Sequence, residues 1–387
     1  MKTIIIGGGI GGLVTAIALL SKGVEVEVYE KSASVTAEGA GLWIGPNALA
    51  ILNKYGLADQ LQKEGMLLRK ACITDIEGKK ISELDFEKIK DEFQFGNLAI
   101  HRADLHRVLL GNIPDGIVRT SKQFTGFKQD ADSVTAYFAD GTIAKGEILI
   151  GADGINSRVR HQLYPTLKLR FSDQTSWRFV TEFELPQHEK QNSYEIWSNK
   201  KGLRVGYSYI NKGEVYCYIT ASATEEQKRP EPISQKRILM NLCNGFSPEI
   251  KKLIAAAPED EIIQKNLYDL QLSEKWYSGR VVLAGDAAHA SMPNLGQGAC
   301  QAIEDAYALA KCLTGSKDPV TAFRSYESLR RPKAEYVSRY SWKLGQVVNT
   351  EGWKKKLITA IIRLTPSWLT MRQFHSIYSV NYLEHDH

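Results

Sequence analysis

The chain has 387 residues, 43% of them hydrophobic and 24% charged, with a formal net charge of +5. At about 150 residues per domain this predicts two or three domains with ample apolar material for a core. The small, dispersed positive charge shows no basic stripe or known module, which argues against a nucleic-acid partner. No apolar run reaches the roughly 18 residues of a membrane span, and Met1-Lys2-Thr3 leads straight into a strand, so no signal peptide is expected. Five cysteines, Cys72, Cys217, Cys243, Cys300 and Cys312, lack CxxC spacing. They read as reduced thiols of a cytoplasmic enzyme, with no disulfide framework and no metal site.

Thr3 to Ile6 is a β-branched run of the kind found in buried parallel strands. Gly7-Gly8-Gly9-Ile10-Gly11-Gly12 follows and satisfies G-x-G-x-x-G. Leu13, Ala16, Ile17 and Leu20 then recur at helical spacing, and Gly23 is a helix stop. A second strand, Val24 to Tyr29, ends at Glu30. In this context Gly7 permits a tight turn, Gly9 lets the backbone approach a pyrophosphate, and Gly12 allows close helix–strand packing. The helix N-terminus offers unpaired N–H groups to phosphates. Glu30 stands where a carboxylate accepts the hydroxyls of an adenosine ribose, which disfavours a 2′-phosphate there. FAD and NAD both fit.

Ala37 to Asn47 is a second glycine-rich segment, with Gly45-Pro46-Asn47 opening a helix. His101-Arg102-Ala103-Asp104-Leu105 precedes another, where Arg102 can meet a phosphate or a flavin edge, or Asp104 can simply complement the helix dipole. A strand from Gly146 to Ile150 leads to Gly151-Ala152-Asp153-Gly154, followed by Ser157 and Arg158. Beyond about residue 171, strand-like runs dominate: Trp177–Glu184, Ser193–Trp197, Leu203–Ile210 and Val215–Ala221. Asn211-Lys212-Gly213 joins the last two as a hairpin. Arg178, Arg204, Tyr207, Tyr209, Tyr216 and Tyr218 are the polar or amphipathic candidates there. Arg204 and Tyr216 are expected where the hairpin strands face each other; an arginine in a pocket suits an anionic or carbonyl-rich substrate, and a solvent-exposed arginine fits the sequence equally well. Cross-strand aromatic packing explains the tyrosines equally well.

Arg280 to Ala284 reads as a buried strand ending in Gly285-Asp286. Gly285 lets the chain pass close to a ligand, and Asp286 stands at a strand end, where ligands sit in open α/β sheets. Pro293, Gly296 and Gly298 offer a rigid surface, bare of side chains, for a planar ring. A helix with Ala299, Ala302, Ile303, Ala306 and Leu309 on its apolar side follows, carrying Glu304 and Asp305. His289 reads as a structural histidine in the turn and Cys300 as a packed residue. After Arg330-Arg331-Pro332 the chain is helical and basic. Trp353-Lys354-Lys355-Lys356 leads into an amphipathic helix that either packs over the domains or lies on a membrane surface. Glu384 to His387 reads as a frayed tail.

Three of these marks, Gly7 to Gly12, Asp153-Gly154 and Gly285-Asp286, stand in the order and at the spacing of the class A FAD-dependent monooxygenases. The chain resembles that family, and within it the group of urate hydroxylase, salicylate hydroxylase and zeaxanthin epoxidase. The resemblance implies an α/β fold. A discontinuous Rossmann-like FAD-binding domain (1–70, 98–170, 271–345) would hold an inserted, mostly antiparallel β-sheet substrate domain (71–97, 171–270), with a C-terminal helical segment (346–387). It implies that Asp153-Gly154 lies near the pyrophosphate and that Asp286 bonds the ribityl chain. It also implies that Arg102 contacts FAD and that the helix from Gly298 points at the flavin pyrimidine ring, where a helix N-terminus stabilises negative charge. The urate-hydroxylase-like group has an Arg and a Tyr in positions similar to Arg204 and Tyr216. The implied activity is hydroxylation or epoxidation of an electron-rich small molecule, using NADH or NADPH and O2, through a flavin C4a-hydroperoxide, by a monomer or homodimer. A same-fold flavoprotein reductase and an NAD-dependent dehydrogenase are the alternatives. The dehydrogenase leaves Gly285-Asp286 unexplained.

Overall fold

The computed structural model describes residues 1–34, 40–211, 213–225, 234–271 and 275–383. Ala37-Glu38-Gly39, Lys212 and the Glu384–His387 tail lie outside the described residues.

A six-stranded sheet runs in the order Tyr277–Ser278, Val281–Leu283, Ile148–Gly151, Lys2–Ile6, Glu25–Tyr29, Val118–Arg119. All pairs are parallel except the first. Ile4, Ile5, Leu149, Ile150, Val281 and Val282 have no exposed surface, because helices cover both faces of a parallel sheet. The Ile10–Leu20 and Gly298–Thr314 helices pack closely enough that a Cβ on Gly11 would lie 3.2 Å from the Ala302 methyl. Sequence-distant segments therefore meet in the middle of this sheet: Ala152 donates to Ile6 O at 2.8 Å and Ala284 donates to Gly151 O at 3.0 Å. The loops after Ile6, Gly151 and Leu283 leave from neighbouring strand ends.

A second sheet of seven strands has the order Ile263–Leu270, Leu169–Glu182, Glu214–Ser222, Arg204–Tyr209, Asn192–Trp197, Lys70–Asp75, Lys80–Asp85. Only the Asn192–Trp197 and Lys70–Asp75 pair is parallel. Alternation sorts its side chains into two sets. Trp177, Phe179, Val205, Cys217 and Ile219 form a core with the helices Gln235–Leu242 and Pro248–Ala256. Arg178, Arg204, Tyr216 and Tyr218 occupy the opposite face. That face turns toward the first sheet, since Trp43 Nε1 donates to Ser208 Oγ at 3.3 Å and a Cβ on Gly41 would lie 2.6 Å from Tyr216.

The Pro319–Val348 helix runs unbroken for 30 residues with Pro332 inside it. The helical stretch therefore begins well before the Arg330-Arg331-Pro332 boundary read from sequence. Asp318 caps it, accepting from the Thr321 amide at 2.9 Å. Gly352–Leu364 and Ser367–Tyr378 follow.

Candidate active site

Gly7 adopts φ +108°, and a Cβ there would lie 2.4 Å from Ala152 O. Gly12 is tighter still: its Cβ would sit 1.9 Å from Gly7 O. These two glycines are demanded by the protein itself. Gly9 is different. Its φ of −74° suits any residue, and nothing lies within 4 Å of the direction a side chain would take. The space beside Gly9 and beside Gly154 (φ +78°) is open. Glu30 closes the loop from below, its Oε2 accepting from the Gly8 amide at 2.7 Å and its Oε1 from Ser32 at 2.9 Å.

Asp153 is engaged within the protein. Its carboxylate accepts from Ser157 Oγ (2.5 Å), the Arg158 amide (2.7 Å) and the Val159 amide (3.2 Å), so it holds the start of the Arg158–Leu163 helix. Burial pushes its pKa up, against these bonds. Arg160 is buried and donates to Ala287 O (3.1 Å) and Ile155 O (2.5 Å), tying the middle loop to the late one. Sequence reading missed Arg160, although it stands two residues after Arg158.

Asp286 and Arg102 behave alike. Solvent reaches both, and among the described residues neither side chain has a hydrogen-bond or ion-pair partner. Both lie deep among protein atoms: burial raises the Asp286 pKa against the charges of His289, Arg102 and Arg160, and burial lowers that of Arg102. Two unpartnered opposite charges deep in a cleft between glycine-lined loops are suited to a ligand that brings both acceptors and donors, as a dinucleotide with a sugar chain does. Gly298 opens the Gly298–Thr314 helix 3.9 Å from Asp286 Oδ1, measured from the Cβ it lacks, so the helix N-terminus faces the same cleft. Pro293 is exposed, and Gly296 has φ +62°. The residues present fit FAD.

Behind this helix lies a charge network that the sequence reading did not anticipate. Asp305 accepts from the Gly285 amide (2.8 Å) and from Arg330 Nε (2.8 Å), and pairs with His289 Nε2 (2.6 Å). His289 is thus a structural residue, its ring also lying tilted against Trp276 with centroids 4.9 Å apart. Glu304 takes Asn47 Nδ2 (2.6 Å), Arg330 Nη1 (2.7 Å), Lys333 Nζ (2.6 Å) and Tyr382 Oη (2.7 Å). Glu304, Asp305 and Arg330 have no exposed surface. Burial alone would raise both carboxylates, but His289, Arg330 and Lys333 outweigh it and hold both below the usual range. The available signal was two acids on the apolar side of an amphipathic helix, which require buried cations. Cys300 packs as expected and accepts from the Gly45 amide at 3.3 Å.

The roof of the cleft corrects one expectation. Arg204 pairs in register with Thr220, and Tyr216 with Ser208; the two share a face but stand two rows apart. The row between them runs Arg178, Tyr218, Gly206, Glu195 across four strands. A Cβ on Gly206 would lie 2.1 Å from Tyr218 Cζ, so the missing side chain lets the Tyr218 ring lie across the strand, and its hydroxyl donates to Glu195 Oε2. Glu195 also accepts from Arg204 Nη1 at 3.1 and 3.3 Å, and Arg204 Nη2 donates to Asn294 Oδ1 at 2.5 Å. Arg204 is therefore buried and neutralised by Glu195, which sequence reading overlooked. The available cation is Arg178, which has no hydrogen bond or ion pair among the described residues. Its charge reaches both Arg102 and Tyr216. Burial raises the Tyr216 pKa, while Arg178 and then Arg204 oppose the rise. The Tyr216 hydroxyl has no partner among the described residues. A separate surface groove of about 740 Å³, lined by Glu184, Glu189, Tyr207 and Leu253, opens on the other face of this sheet and contains none of these groups.

Residues 1–341 match the family described as FAD binding domain. The 3-amino-4-hydroxybenzoate 2-monooxygenase PtmB3 of Streptomyces platensis is 36% identical over 349 residues, 88% of this chain and 87% of that protein. The aurachin C monooxygenase/isomerase of Stigmatella aurantiaca is 32% identical over 347 residues, 90% and 89% of the two chains. Among solved structures, Klebsiella pneumoniae HpxO complexed with FAD and uric acid superimposes with a TM-score of 0.90 at 25% identity, covering 98% of this chain and 96% of that one.

Proposed function

The chain belongs to the FAD binding domain family and is an FAD-dependent monooxygenase, and on that premise we propose that it hydroxylates an ionisable aromatic or heteroaromatic ring. The observation that carries this is the unpartnered Tyr216 hydroxyl beside the uncompensated charge of Arg178. Because Glu195 neutralises Arg204, the roof keeps about one net positive charge, which favours the ionised form of a bound phenol, hydroxy-heteroaromatic ring or carboxylate. Ionising the ring also makes it electron-rich, as transfer of an electrophilic oxygen requires.

FAD, when bound, supplies the redox chemistry: NAD(P)H gives two electrons, one atom of O2 goes to the substrate, and the other leaves as water. The chain's own residues bind and orient. Gly7, Gly9 and Gly154 would keep backbone close to the pyrophosphate, with Gly12 letting the helix pack against the turn and Glu30 at the adenosine ribose. Arg102 and Asp286 would meet the phosphate and sugar chain. Asp153 would act through the Arg158–Leu163 helix start it holds. Pro293, Gly296 and Gly298 would flank the ring, and the helix dipole behind Gly298 would stabilise negative charge on it. Tyr216 donates to the substrate oxyanion, while Tyr218, locked on Glu195, walls the cavity. The relatives support this reading: PtmB3 is named for 3-amino-4-hydroxybenzoate and HpxO was crystallised with uric acid, both acidic rings.

The test is a panel of hydroxylated benzoates, hydroxypyridines, quinolones and purines, alongside neutral alkenes. NADH and NADPH oxidation would be followed with product mass. The expected result is oxidation stimulated by an ionisable ring and a product heavier by one oxygen atom. Stimulation only by neutral alkenes would overturn the ring assignment in favour of epoxidation.

A further inference from the structure

The Gly352–Leu364 helix has its apolar side facing outward. Trp353, Leu357, Ile361 and Leu364 are 70%, 53%, 58% and 82% exposed. At about 100° per residue they fall within one quarter of the helix circumference, a stripe roughly 17 Å long. Lys354 borders the stripe on one side and Lys356 on the other, both exposed. The inward face is held by other means. Lys355 is buried and donates to Lys200 O at 3.3 Å, and Ile362 packs on the cluster of Ile81, Trp197 and Val348. Arg363 binds Asp75 Oδ2 at 2.6 Å and Lys80 O at 3.1 Å. The outward stripe is therefore not a packing surface awaiting this chain's own core.

The same contacts bring further lysines to the rim. Lys200 and Lys201 stand at the turn bound by Lys355, and Lys79 and Lys80 at the turn bound by Arg363; all four are exposed. Against these six lysines the exposed acids on the same segments are Glu77 and Glu351, with Glu83 lying 3.8 Å from Lys80. An apolar stripe with lysines on both borders and a one-sided basic fringe has the charge pattern of a helix lying in the headgroup region of an anionic bilayer. A second copy of the chain fits less well. A two-fold interface would set the lysine fringe against itself, and four side chains on a 13-residue helix fall short of the roughly 800 Å² per partner of a stable dimer.

We propose that this helix docks the enzyme on a membrane surface rich in anionic lipid, with Trp353, Leu357, Ile361 and Leu364 entering the interface and the lysines binding headgroups. The surface lies at the end of the substrate-facing sheet, so docking brings the roof of the cleft close to the bilayer. The inference is independent of the substrate assignment.

The test is co-sedimentation of the full FAD-loaded chain with phosphatidylcholine vesicles and with vesicles that also contain phosphatidylglycerol. Binding only to the phosphatidylglycerol vesicles, weakening with salt, is expected. Leu357→Ser/Ile361→Ser abolishes it. Lys354→Ser/Lys356→Ser lowers it roughly thirtyfold, at about fivefold per lysine. The substituted side chains are exposed, so melting temperature and flavin absorbance stay unchanged. The emission of Trp353, read as the difference between the chain and Trp353→Phe, shifts to the blue on anionic vesicles, which keeps the test open should the double variants misfold. Three results overturn the proposal: equal sedimentation with both vesicle types, no blue shift, or a dimer by gel filtration that Leu357→Ser/Ile361→Ser converts to monomer.

Discussion

Asp305 Oδ2 accepts the Gly285 amide at 2.8 Å and so fastens the late glycine loop to the helix whose N-terminus faces the cleft. The same oxygen lies 2.6 Å from His289 Nε2, and the second oxygen takes Arg330. One buried carboxylate thus sets the position of the loop that carries Asp286.

Asp305→Asn leaves Arg330 with only Glu304 as its ionic partner in a site with no exposed surface. We expect a loss of about 3 kcal/mol, at the lower end of the cost of breaking a buried pair, and weaker FAD retention. Thermal melting with and without added FAD checks this. Acid should act on the same network. Asp305 and Glu304 titrate below their ordinary values in the folded chain, so their contribution is full above about pH 4–5 and is lost as pH falls further. Acid unfolding of Asp305→Asn should be shallower over that window.

Gly9→Val separates folding from cofactor binding. Its Cβ meets no protein atom within 4 Å and its φ of −74° is unstrained, so the apo chain should melt within about 1 °C of the parent, as neutral surface changes do. FAD binding should fall by a factor of 100 or more, roughly 3 kcal/mol, because the valine occupies phosphate space. Gly12→Val, whose Cβ meets Gly7 O at 1.9 Å, should not fold at all. Flavin absorbance after reconstitution reads both.

The two roof tyrosines should respond differently. Tyr218→Phe removes the donor to Glu195 and should cost about 1.5–3 kcal/mol of stability, as for a hydrogen bond to a charged group. Gly206→Ala should reproduce that defect by displacing the ring. Tyr216→Phe removes a hydroxyl with no partner in the protein, so stability should hold within about 0.5 kcal/mol. Its effect should appear in the kinetics, as a kcat/KM about tenfold lower or more. Denaturant melts and steady-state oxidation rates distinguish the three variants.

Lys355 connects pH to stability in the opposite direction to the carboxylates. Burial, and secondarily the nearby charge of Arg204, lower its pKa to about 8. The unfolded chain then holds more protons between about pH 8 and pH 10, so stability should rise with pH across that window. Lys355→Met should flatten the rise and be more stable than the parent at pH 7. Melting temperature measured from pH 7 to pH 10 checks the sign.

Short-range pattern made much of the cofactor end legible. The run from Thr3 to Glu30 encodes strand, turn, helix and strand in local periodicity, and Gly12 is a glycine because the Gly7 carbonyl five residues before it leaves no room for a side chain, whereas Gly7 is blocked by Ala152 from a distant strand end. Lys70–Asp75, Lys80–Asp85 and Ile263–Leu270 were not read as strands, while the other four strands of the seven-stranded sheet were visible in the same local periodicity. What residues do across strands was not. Whether Arg204 opposes Tyr216 or Thr220 depends on register, and the row of Arg178, Tyr218, Gly206 and Glu195 comes from strands that pair across intervening turns. Arg204 therefore read as an available cation when Glu195 had already neutralised it, and Arg178 was one candidate among six. Likewise Glu304 and Asp305 stood on an apolar helix face, but their partner Arg330 lies 25 residues on and becomes adjacent only when two helices pack. Sequence by itself determined backbone geometry and hydrophobic phase, which are local. Only the tertiary structure decided which charges are cancelled and which remain to meet a ligand, because electrostatic pairing depends on distance in space.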